Sequence, residues 1–410
     1  MRIPKKFQKL LLFNACVLLI VWFVTILENP PRINEIESTN CRFGDDYVSP
    51  GENEKSINDR SQPGMVYILQ WTKPDKEPYT FLKEGQETFN ERRCPVKNCY
   101  VTWNRTYLCD VTQYDAILFY SHIVSKSLTP TPSKRTAEQY YVFVSPEAAG
   151  HNQVYHKKYK TFFNLTWTYK LNSDVFYGYI QVENKNGDII GPKEVMHWPK
   201  LEEMDPISDK VREKLNSKKN AVAWFVSNCH ARCGRFGVAI KIQKELAKYN
   251  MSVDIYGRCG TKTISENITA WELVERDYYF YFAFENSINE DYVTEKLLNA
   301  LQHYAVPIVY GGANYTRFMP NGIYLDARIL SPTELVKQMV DLINDKEKYF
   351  DLFRWHNYYN YYYAGGAPET DYYCNFCKTI NDLKKMNYKH VYRNFYQWWN
   401  EWTAEFAEDN

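Results

Sequence analysis

Short apolar runs separated by turn residues mark the first half of the chain. MVYILQW (Met65–Trp71), AILFYS (Ala116–Ser121) and YYVFVS (Tyr140–Ser145) have the length and the β-branched or aromatic content of buried strands. The pieces between them are loop-rich, with Pro130, Pro132 and Ser133 in one turn region. The second half alternates more regularly. AVAWFVS (Ala221–Ser227) predicts a strand, RFGVAIKIQKELAKY (Arg235–Tyr249) a helix, and SVDIYG a strand ended by Gly257. YYFYFAFE (Tyr278–Glu285) predicts a strand and TEKLLNALQHY (Thr294–Tyr304) a helix. VPIVYGG and GIYLDA follow as strands, then SPTELVKQMVDLIND as a helix capped by Ser331. Strands alternating with helices predict a doubly wound parallel α/β sheet, whose ligands bind beyond the carboxyl ends of the strands.

That rule bears on FENSINEDYVTEK (Phe284–Lys296), which holds four acidic residues, two Asn and one Lys. Phe284, Glu285 and Asn286 fall at the carboxyl end of a strand, and Thr294, Glu295 and Lys296 open the next helix. A helix N-terminus offers free N–H groups and a positive dipole end, and Lys296 adds a full charge; both suit a diphosphate. Glu285 and Glu295 suit sugar or ribose hydroxyls, for which carboxylates are acceptors. No Gly-rich fingerprint accompanies the cluster, which argues against a dinucleotide site. An ordinary polar crossover loop would read the same from chemistry alone.

The N-terminus changes the picture of where the chain works. Arg2, Lys5, Lys6 and Lys9 precede an apolar run from Leu10 to Leu27, broken by Asn14 and Thr25. At about 1.5 Å per residue this run makes roughly 27 Å, close to the hydrocarbon thickness of a bilayer. It leads into ILENPPRINE, which lacks a small-residue cleavage pattern. The expectation is a single-pass anchor over 10–27 with the basic tail 1–9 cytoplasmic, a flexible polar stem over 28–62, and a lumenal body. Five N-x-S/T sequons agree, at Asn104, Asn164, Asn250, Asn267 and Asn314. So do the cysteines: of ten, only Cys16 lies in the apolar run. Cys94, Cys99 and Cys109 cluster, and CNFC brings Cys374 and Cys377 together. No second C-x-x-C or paired His supports zinc, so disulfides are expected. Nine beyond the anchor is odd, and the spacing leaves the pairing open.

Charge and composition mainly exclude. A formal net charge of +1 provides no field for nucleic acid, and no basic tract occurs beyond the N-terminus. Aromatic residues make up 17% of the chain, with 35 Tyr, a content suited to stacking on sugar faces. No H-E-x-x-H or D-x-D pattern occurs, and the lone His230 and His303 read as structural residues.

Several blocks together resemble one family. FAFENSINEDYVTEKLLNAL followed by AVPIVYGGANYTRFMP is similar to the signature of the α-1,3-fucosyltransferases. AWFVSNC, VDIYGRCG, DAILFY, FNLTWTYKLNSDVFYGY, YFDLFRWHNYY and CNFC resemble further blocks of that family, in family order. The resemblance runs from about Met65 to the C-terminus, and the anchor and stem match the family's Golgi type II layout. It implies a GT-B glycosyltransferase of two Rossmann-like domains, an acceptor domain over 63–215 and a GDP-fucose domain over 216–410. The implied reaction moves L-fucose from GDP-fucose to O3 of N-acetylglucosamine in glycoprotein glycans, with inversion.

The resemblance also implies roles. Glu147 in VFVSPEAAGH would be the base, although Pro146 precedes it where family members usually have Pro after the acid. Glu285 and Asn286 would contact the donor. Tyr292, Glu295 and Lys296 would form the nucleotide triple, with Lys296 at the phosphates and Glu295 at ribose. Tyr256 would lie beside guanine. Arg232 and Arg235 are the candidates opposite the diphosphate, and the A-R-x-G-R form points to Arg235. Asn289 stands where many members have Cys, which implies that one family disulfide is missing. No metal is required for the implied chemistry, with a divalent ion as a stimulator at most. The acceptor stays open between the innermost N-acetylglucosamine of N-glycans and outer-arm lactosamine or its N-acetylgalactosamine counterpart; the SNC-x-A-R-x-G-R form leans to invertebrate members. A catalytically silent relative that binds glycans or a partner enzyme is the alternative, and the presence of Glu147, Glu295 and Lys296 argues against it.

Overall fold

The computed structural model describes residues 62–72, 82–126 and 130–404. The expected anchor and most of the stem lie outside the described residues. Among the described residues no helix is long and apolar enough to cross a membrane.

Two parallel sheets organise the body. The first is six-stranded, built from β1 (Val66–Gln70), β2 (Cys99–Thr102), β3 (Ala116–Tyr120), β4 (Tyr140–Ser145), β5 (Leu165–Thr168) and β6 (Val175–Phe176), in the order β2-β1-β3-β4-β5-β6. After these come β7 (Ile180–Asn184) and β8 (Ile189–Gly191). The second sheet is five-stranded, from β9 (Asn220–Phe225), β10 (Val253–Tyr256), β11 (Tyr278–Phe284), β12 (Val306–Tyr310) and β13 (Leu325–Asp326), in the order β10-β9-β11-β12-β13. A small antiparallel sheet pairs β7 with β8 and with β14 (Tyr359–Tyr363), so chain from both halves meets there. The strands read from sequence as MVYILQW, AILFYS and YYVFVS are β1, β3 and β4. The short or polar β2, β5, β6, β7, β8 and β14 carry little periodic signal and had not been expected.

Nearly every strand residue of the first sheet is buried because both faces are covered. Ile68, Leu118, Val142 and Trp167 point to one face, Leu69, Phe119 and Phe143 to the other. The cover comes from the end of the chain. The helix Tyr372–Lys385 packs on the first face through Phe376, which stacks on Trp167 with ring centroids 4.4 Å apart, and through the disulfides Cys94–Cys374 and Cys99–Cys377. The helix Phe395–Ala404 packs on the second face, where Phe395 and Trp399 both lie 4.7 Å from Phe143. The segment from Tyr372 onward, which chain order assigns to the second domain, thus completes the first. Burying an aromatic side chain of this size is worth about 1.5–3 kcal/mol. The C-x-x-C pair is two separate crosslinks, and Cys109 is disulfide-bonded too. Cys233 is the free thiol among the described cysteines.

The second sheet is covered by its own crossovers. Arg235–Ala247 and Pro332–Asn344 lie on one face, with Ile242, Leu246, Leu335 and Met339 against Trp224, Phe282 and Ile308. Ala270–Asp277 and Glu295–Gln302 lie on the other. Ser331 caps its helix in a reciprocal box with Glu334. The sequons differ in their surroundings. Asn250, Asn267 and Asn314 are exposed. Asn164 is buried, its Nδ2 donating to the His390 carbonyl at 2.6 Å and its Oδ1 accepting from the Tyr141 N–H at 2.8 Å. Of these four sequon asparagines Asn164 is the one whose side chain ties both its nitrogen and its oxygen into backbone hydrogen bonds.

One buried base sets an expectation for acid stability. His356 stacks on Trp355 at 3.7 Å and on Tyr304 at 4.6 Å, with Nε2 buried and unpartnered. Burial, with help from Lys185 and Lys214, pulls its pKa down to about 3. The unfolded imidazole protonates below its ordinary value near 6.5 while the folded one does not, so the unfolded state binds more protons in that window. Stability falls as pH drops from about 6.5 towards 3, by up to about 1.4 kcal/mol per pH unit. Urea midpoints at pH 7 and pH 5 should therefore drop less in His356→Phe than in the parent chain; equal drops would place the acid sensitivity elsewhere.

Candidate active site

The strand order of the second sheet reverses between β9 and β11, and a crevice for ligands opens at such a switch point beyond the carboxyl ends. The segment Phe284–Lys296 leaves β11 there. Glu285 is 1% exposed. Its Oε1 accepts from the Thr294 N–H at 2.8 Å, the Thr294 hydroxyl lies 3.0 and 2.9 Å from the two carboxylate oxygens, and Lys296 Nζ is 3.2 Å from Oε2. Burial pushes the Glu285 carboxyl above its ordinary value, and the Lys296 ammonium opposes that shift. Lys296 also donates to the Thr294 hydroxyl at 2.7 Å and to Glu295 Oε1 at 3.0 Å. Burial works against the ammonium, but Glu285 and Glu295 raise its pKa above the usual lysine value and keep it charged. Burial would lift Glu295 as well, yet Lys296 holds that carboxyl below its ordinary value. Glu295 is the half-exposed member of the trio.

Between Glu285 and Thr294 the chain arches across the seam of the two sheets. Asn289 is buried and accepts from the Gly150 N–H at 3.1 Å and from the Ser287 hydroxyl at 2.7 Å. Glycine is required on both sides of it. A Cβ at Gly312 would lie 2.6 Å from the Asn289 nitrogen, and one at Gly150 would lie 2.5 Å from Ser287 Oγ and 3.0 Å from Asn289 Oδ1. Asp291 adopts φ 55° and accepts from the Leu171 N–H at 3.1 Å and from Arg317 Nη1 at 2.7 Å. Lys170 lies 3.5 Å from Glu290. Burial raises the Asp291 carboxyl, against the pull of Arg317.

Tyr292 ends the arch. It is 2% exposed and donates to Glu147 Oε2 at 3.2 Å, so the structure brings together the acid after β4 and the loop after β11. Burial and then the Glu147 carboxylate push the phenol well above its ordinary pKa, which keeps it a donor. The turn bearing Glu147 is itself held. The Ser145 hydroxyl donates to the Glu147 carbonyl at 2.8 Å, the Tyr179 hydroxyl to the Pro146 carbonyl at 2.9 Å, and the Ala149 N–H to the Tyr169 hydroxyl at 3.1 Å. Tyr169 meets Tyr292 edge to face at 4.9 Å. The Pro before Glu147 thus contributes its carbonyl to the anchoring of the turn.

The remaining candidates differ in what their side chains meet. Arg235 is 4% exposed and donates from Nη1 to the Phe284 carbonyl at 2.7 Å and from Nη2 to the Asn228 carbonyl at 3.2 Å, with Nε buried and unpartnered. Burial lowers its pKa. It clips the end of β11 to the loop after β9, whereas Arg232 is exposed. Tyr256 lies in the core under the sheet, its hydroxyl 2.7 Å from that of Tyr278, which donates to Asp254 at 2.7 Å. This buried chain of hydroxyls turns it away from open space. Asn286 is half-buried, with Oδ1 unpartnered. The disulfide Cys229–Cys259 ties the loops after β9 and β10. Cys233 Sγ lies 3.4 Å from the Glu285 carbonyl. Among the described residues no group of three or more His, Cys, Asp or Glu is arranged to hold a metal ion.

Comparison with known proteins matches this arrangement to one family over both sheets. "Fucosyltransferase, N-terminal" matches residues 63–180, and "Glycosyltransferase family 10 (fucosyltransferase) C-term" matches 215–407. The chain belongs to glycosyltransferase family 10, the fucosyltransferases. It is 34% identical over 320 residues to "Alpha-(1,3)-fucosyltransferase C" of Drosophila melanogaster, covering 77% of this chain and 72% of that protein. It is 31% identical over 325 residues to "Glycoprotein 3-alpha-L-fucosyltransferase A" of the same organism, covering 78% of this chain and 58% of that protein. A crystal structure of an α1,3-fucosyltransferase with GDP-fucose matches with a TM-score of 0.46 at 14% identity, over 80% of this chain and 94% of that one.

The chemistry open to this family 10 site follows from its parts. A buried, paired carboxylate at the strand end fixes the first helical turn, an ammonium sits at that turn, and a second carboxylate from the other sheet faces them across Tyr292. The sequence marks Thr294 only as the opening of the helix and gives Tyr169 no role; their contacts place both in the site. Thr294→Val removes the hydroxyl that serves both Glu285 and Lys296. It should cost about 1–3 kcal/mol in urea unfolding, as for a buried polar group left short of a partner. An unchanged midpoint would show that Glu285 is satisfied without it.

Proposed function

We propose that the protein is an inverting α-1,3-fucosyltransferase that moves L-fucose from GDP-fucose to O3 of an N-acetylglucosamine in glycoprotein glycans. The observation that carries this reading is the 3.2 Å contact of Tyr292 with Glu147, because it sets a carboxylate of the first sheet against the Glu285–Thr294–Lys296 cluster of the second. Membership of family 10 and the printed activities of the Drosophila relatives support it. The alternative of a silent glycan-binding relative is not favoured, since Glu147, Glu295 and Lys296 are all present.

In this reading the acceptor lies between the sheets. Glu147 takes the proton of the acceptor hydroxyl as that oxygen bonds to C1 of fucose. The bond from C1 to the diphosphate oxygen breaks on the opposite face, which inverts the anomeric centre, and GDP leaves with the electron pair. Lys296 and the first N–H groups of the helix Glu295–Gln302 stabilise the charge that develops on the leaving diphosphate. Glu295, the exposed partner of Lys296, turns to a ribose hydroxyl and frees the ammonium for phosphate. Asn286 and Glu285 line the fucose side. Arg232 and Arg235 remain the two candidates for a cation at the diphosphate; the exposure of Arg232 favours it, since Arg235 donates to two backbone carbonyls. A metal is not needed for these steps.

The basic tail and the apolar run over 10–27 support a Golgi type II placement, with the disulfide-bonded body in the lumen. The test uses the full-length chain in detergent micelles with GDP-fucose and a panel of core and outer-arm N-glycans, read by mass and linkage. One deoxyhexose gained at O3 supports the reading and identifies the acceptor class. GDP binding without transfer to any acceptor would turn it to the silent relative. Glu147→Gln should keep GDP-fucose binding and lose transfer by about 10²- to 10⁴-fold, the range of a general base; parallel loss of both would remove Glu147 from that role. Lys296→Ala should weaken GDP binding about 10- to 100-fold, as for a lost charge-assisted bond; unchanged affinity would remove it from the phosphates.

A further inference from the structure

We infer that the amino rim of the first sheet is a docking surface for an anionic lipid bilayer, with the segment Lys384–Arg393 as its contact. The inference rests on the proposed type II placement and adds to it the face that the body turns to the membrane.

Geometry places the segment. All strands of the first sheet run the same way, so their amino ends share one rim and their carboxyl ends, with Glu147 after β4, share the other. Residues at four of the amino ends hold the chain that leaves the helix Tyr372–Lys385. Asn98, before β2, donates to Asn381 Oδ1 at 2.7 Å, and Asp115, before β3, lies 2.5 Å from Lys384 Nζ. Tyr140, which opens β4, donates to the Tyr388 carbonyl at 2.9 Å, and Asn164, before β5, donates to the His390 carbonyl at 2.6 Å. The backbone is pinned, while Met386 is 66% exposed, Tyr388 40% and Val391 42%.

What this segment presents is basic and apolar together. KKMNYKHVYR holds three Lys, one Arg and one His, and no Asp or Glu. Lys385 lies 4.0 Å from Asp382 and Lys389 lies 3.3 Å from Glu138; such exposed pairs are weak, so another anion can replace the carboxylate. Beside them Arg135 lies over the Tyr141 ring at 3.9 Å and donates to the Phe162 carbonyl at 2.8 Å, with no carboxylate in ion-pair contact among the described residues. Arg135, Tyr140, Asn164, Tyr388, Lys389 and His390 line a groove of about 610 Å³. A guanidinium there suits a headgroup phosphate. Exposed apolar side chains interleaved with cations fit a bilayer surface, where the apolar groups enter the headgroup boundary and the cations meet anionic lipids. The chain also arrives at this rim: Asn98 Nδ2 donates to the Gly64 carbonyl at 2.7 Å, just before β1. A tethered body docks in an intramolecular step at high effective concentration, so a modest patch suffices. Docking through this rim leaves the Glu147 rim clear for acceptors.

The experiment places the full-length chain in nanodiscs of phosphatidylcholine alone or mixed with phosphatidylserine, and measures amide hydrogen exchange over 384–393. Exchange should be slower by about 10- to 30-fold in the mixed discs, the size of two lysines drawn to an anionic surface. Most of that slowing should vanish in Lys385→Glu/Lys389→Glu and in high salt. Transfer by this variant in micelles should match the parent, because the substituted residues lie off the crevice. Equal exchange in the two kinds of disc would overturn the inference. Slowing by soluble heparin with no dependence on lipid would also overturn it and make the patch a site for a dissolved polyanion. So would protection confined to chains stripped of N-glycans, since the Asn164 sequon borders the groove. A chain that does not enter the discs removes the anchor reading, and flotation with vesicles of the same two compositions then decides on the patch. Absence of transfer by the parent removes the fucosyltransferase reading and leaves the exchange result standing.

Discussion

A carboxylate buried at the end of a central strand has to be neutralised or paired, and the rest of the site follows from how Glu285 meets that demand. An isolated ionised carboxylate away from water is costly. Here the Thr294 N–H and hydroxyl and the Lys296 ammonium surround it. Those partners lie nine and eleven positions further on, so pairing Glu285 pins the start of the helix Glu295–Gln302 to the end of β11. The residues between have no room within the sheet and must arch outward, towards the first sheet.

The arch is accommodated because the structure has cleared a path for it. Gly312 on one side and Gly150 on the other admit the backbone and side chain of Asn289 where any Cβ would collide. Asn289 then acts as a hydrogen-bonding link between the loops, at the position where the family resemblance implies cysteine. Arg235 serves the same architecture from beneath: its guanidinium is spent on two backbone carbonyls that hold the strand ends together, and that is why it is buried. Phosphate recognition and strand-end positioning ask for the same residue type, a planar multiple donor, and only the contacts tell them apart.

The two sheets are held as one catalytic body by chain that crosses between them. β7 and β14 pair across the halves, and the C-terminal helices return to cover both faces of the first sheet. The disulfides Cys94–Cys374 and Cys99–Cys377 close loops of 280 and 278 residues, which removes a large share of the freedom of the unfolded chain. A site assembled from Glu147 and Tyr292 depends on this return, because the two residues come from different sheets and meet through a single hydrogen bond.

Much of this was legible from residue order alone. The alternation of strand and helix patterns after Ala221 predicts a parallel sheet, since parallel neighbours need a crossover of about helix length and the helices supply it. The switch-point rule then places Phe284–Lys296 at a ligand crevice, and the ordered blocks identify the fucosyltransferase family. These are properties of local periodicity and short motifs, which a linear chain carries in full. What the tertiary structure decided depends on distance across the fold. The short strands β2, β5, β6, β7, β8 and β14 exist because partners supply their hydrogen bonds. Asn164 is a sequon like the others by spelling, and only its contacts show it tied to the His390 carbonyl and the Tyr141 N–H. Cysteine spacing left the pairing open, because residues near in sequence bond to partners some 280 positions away. Tyr256 and Tyr292 are both tyrosines beside apolar runs, yet one ends in a buried chain of hydroxyls and the other on the Glu147 carboxylate. Side-chain direction at a strand end is set by what packs above it, and no local pattern records that.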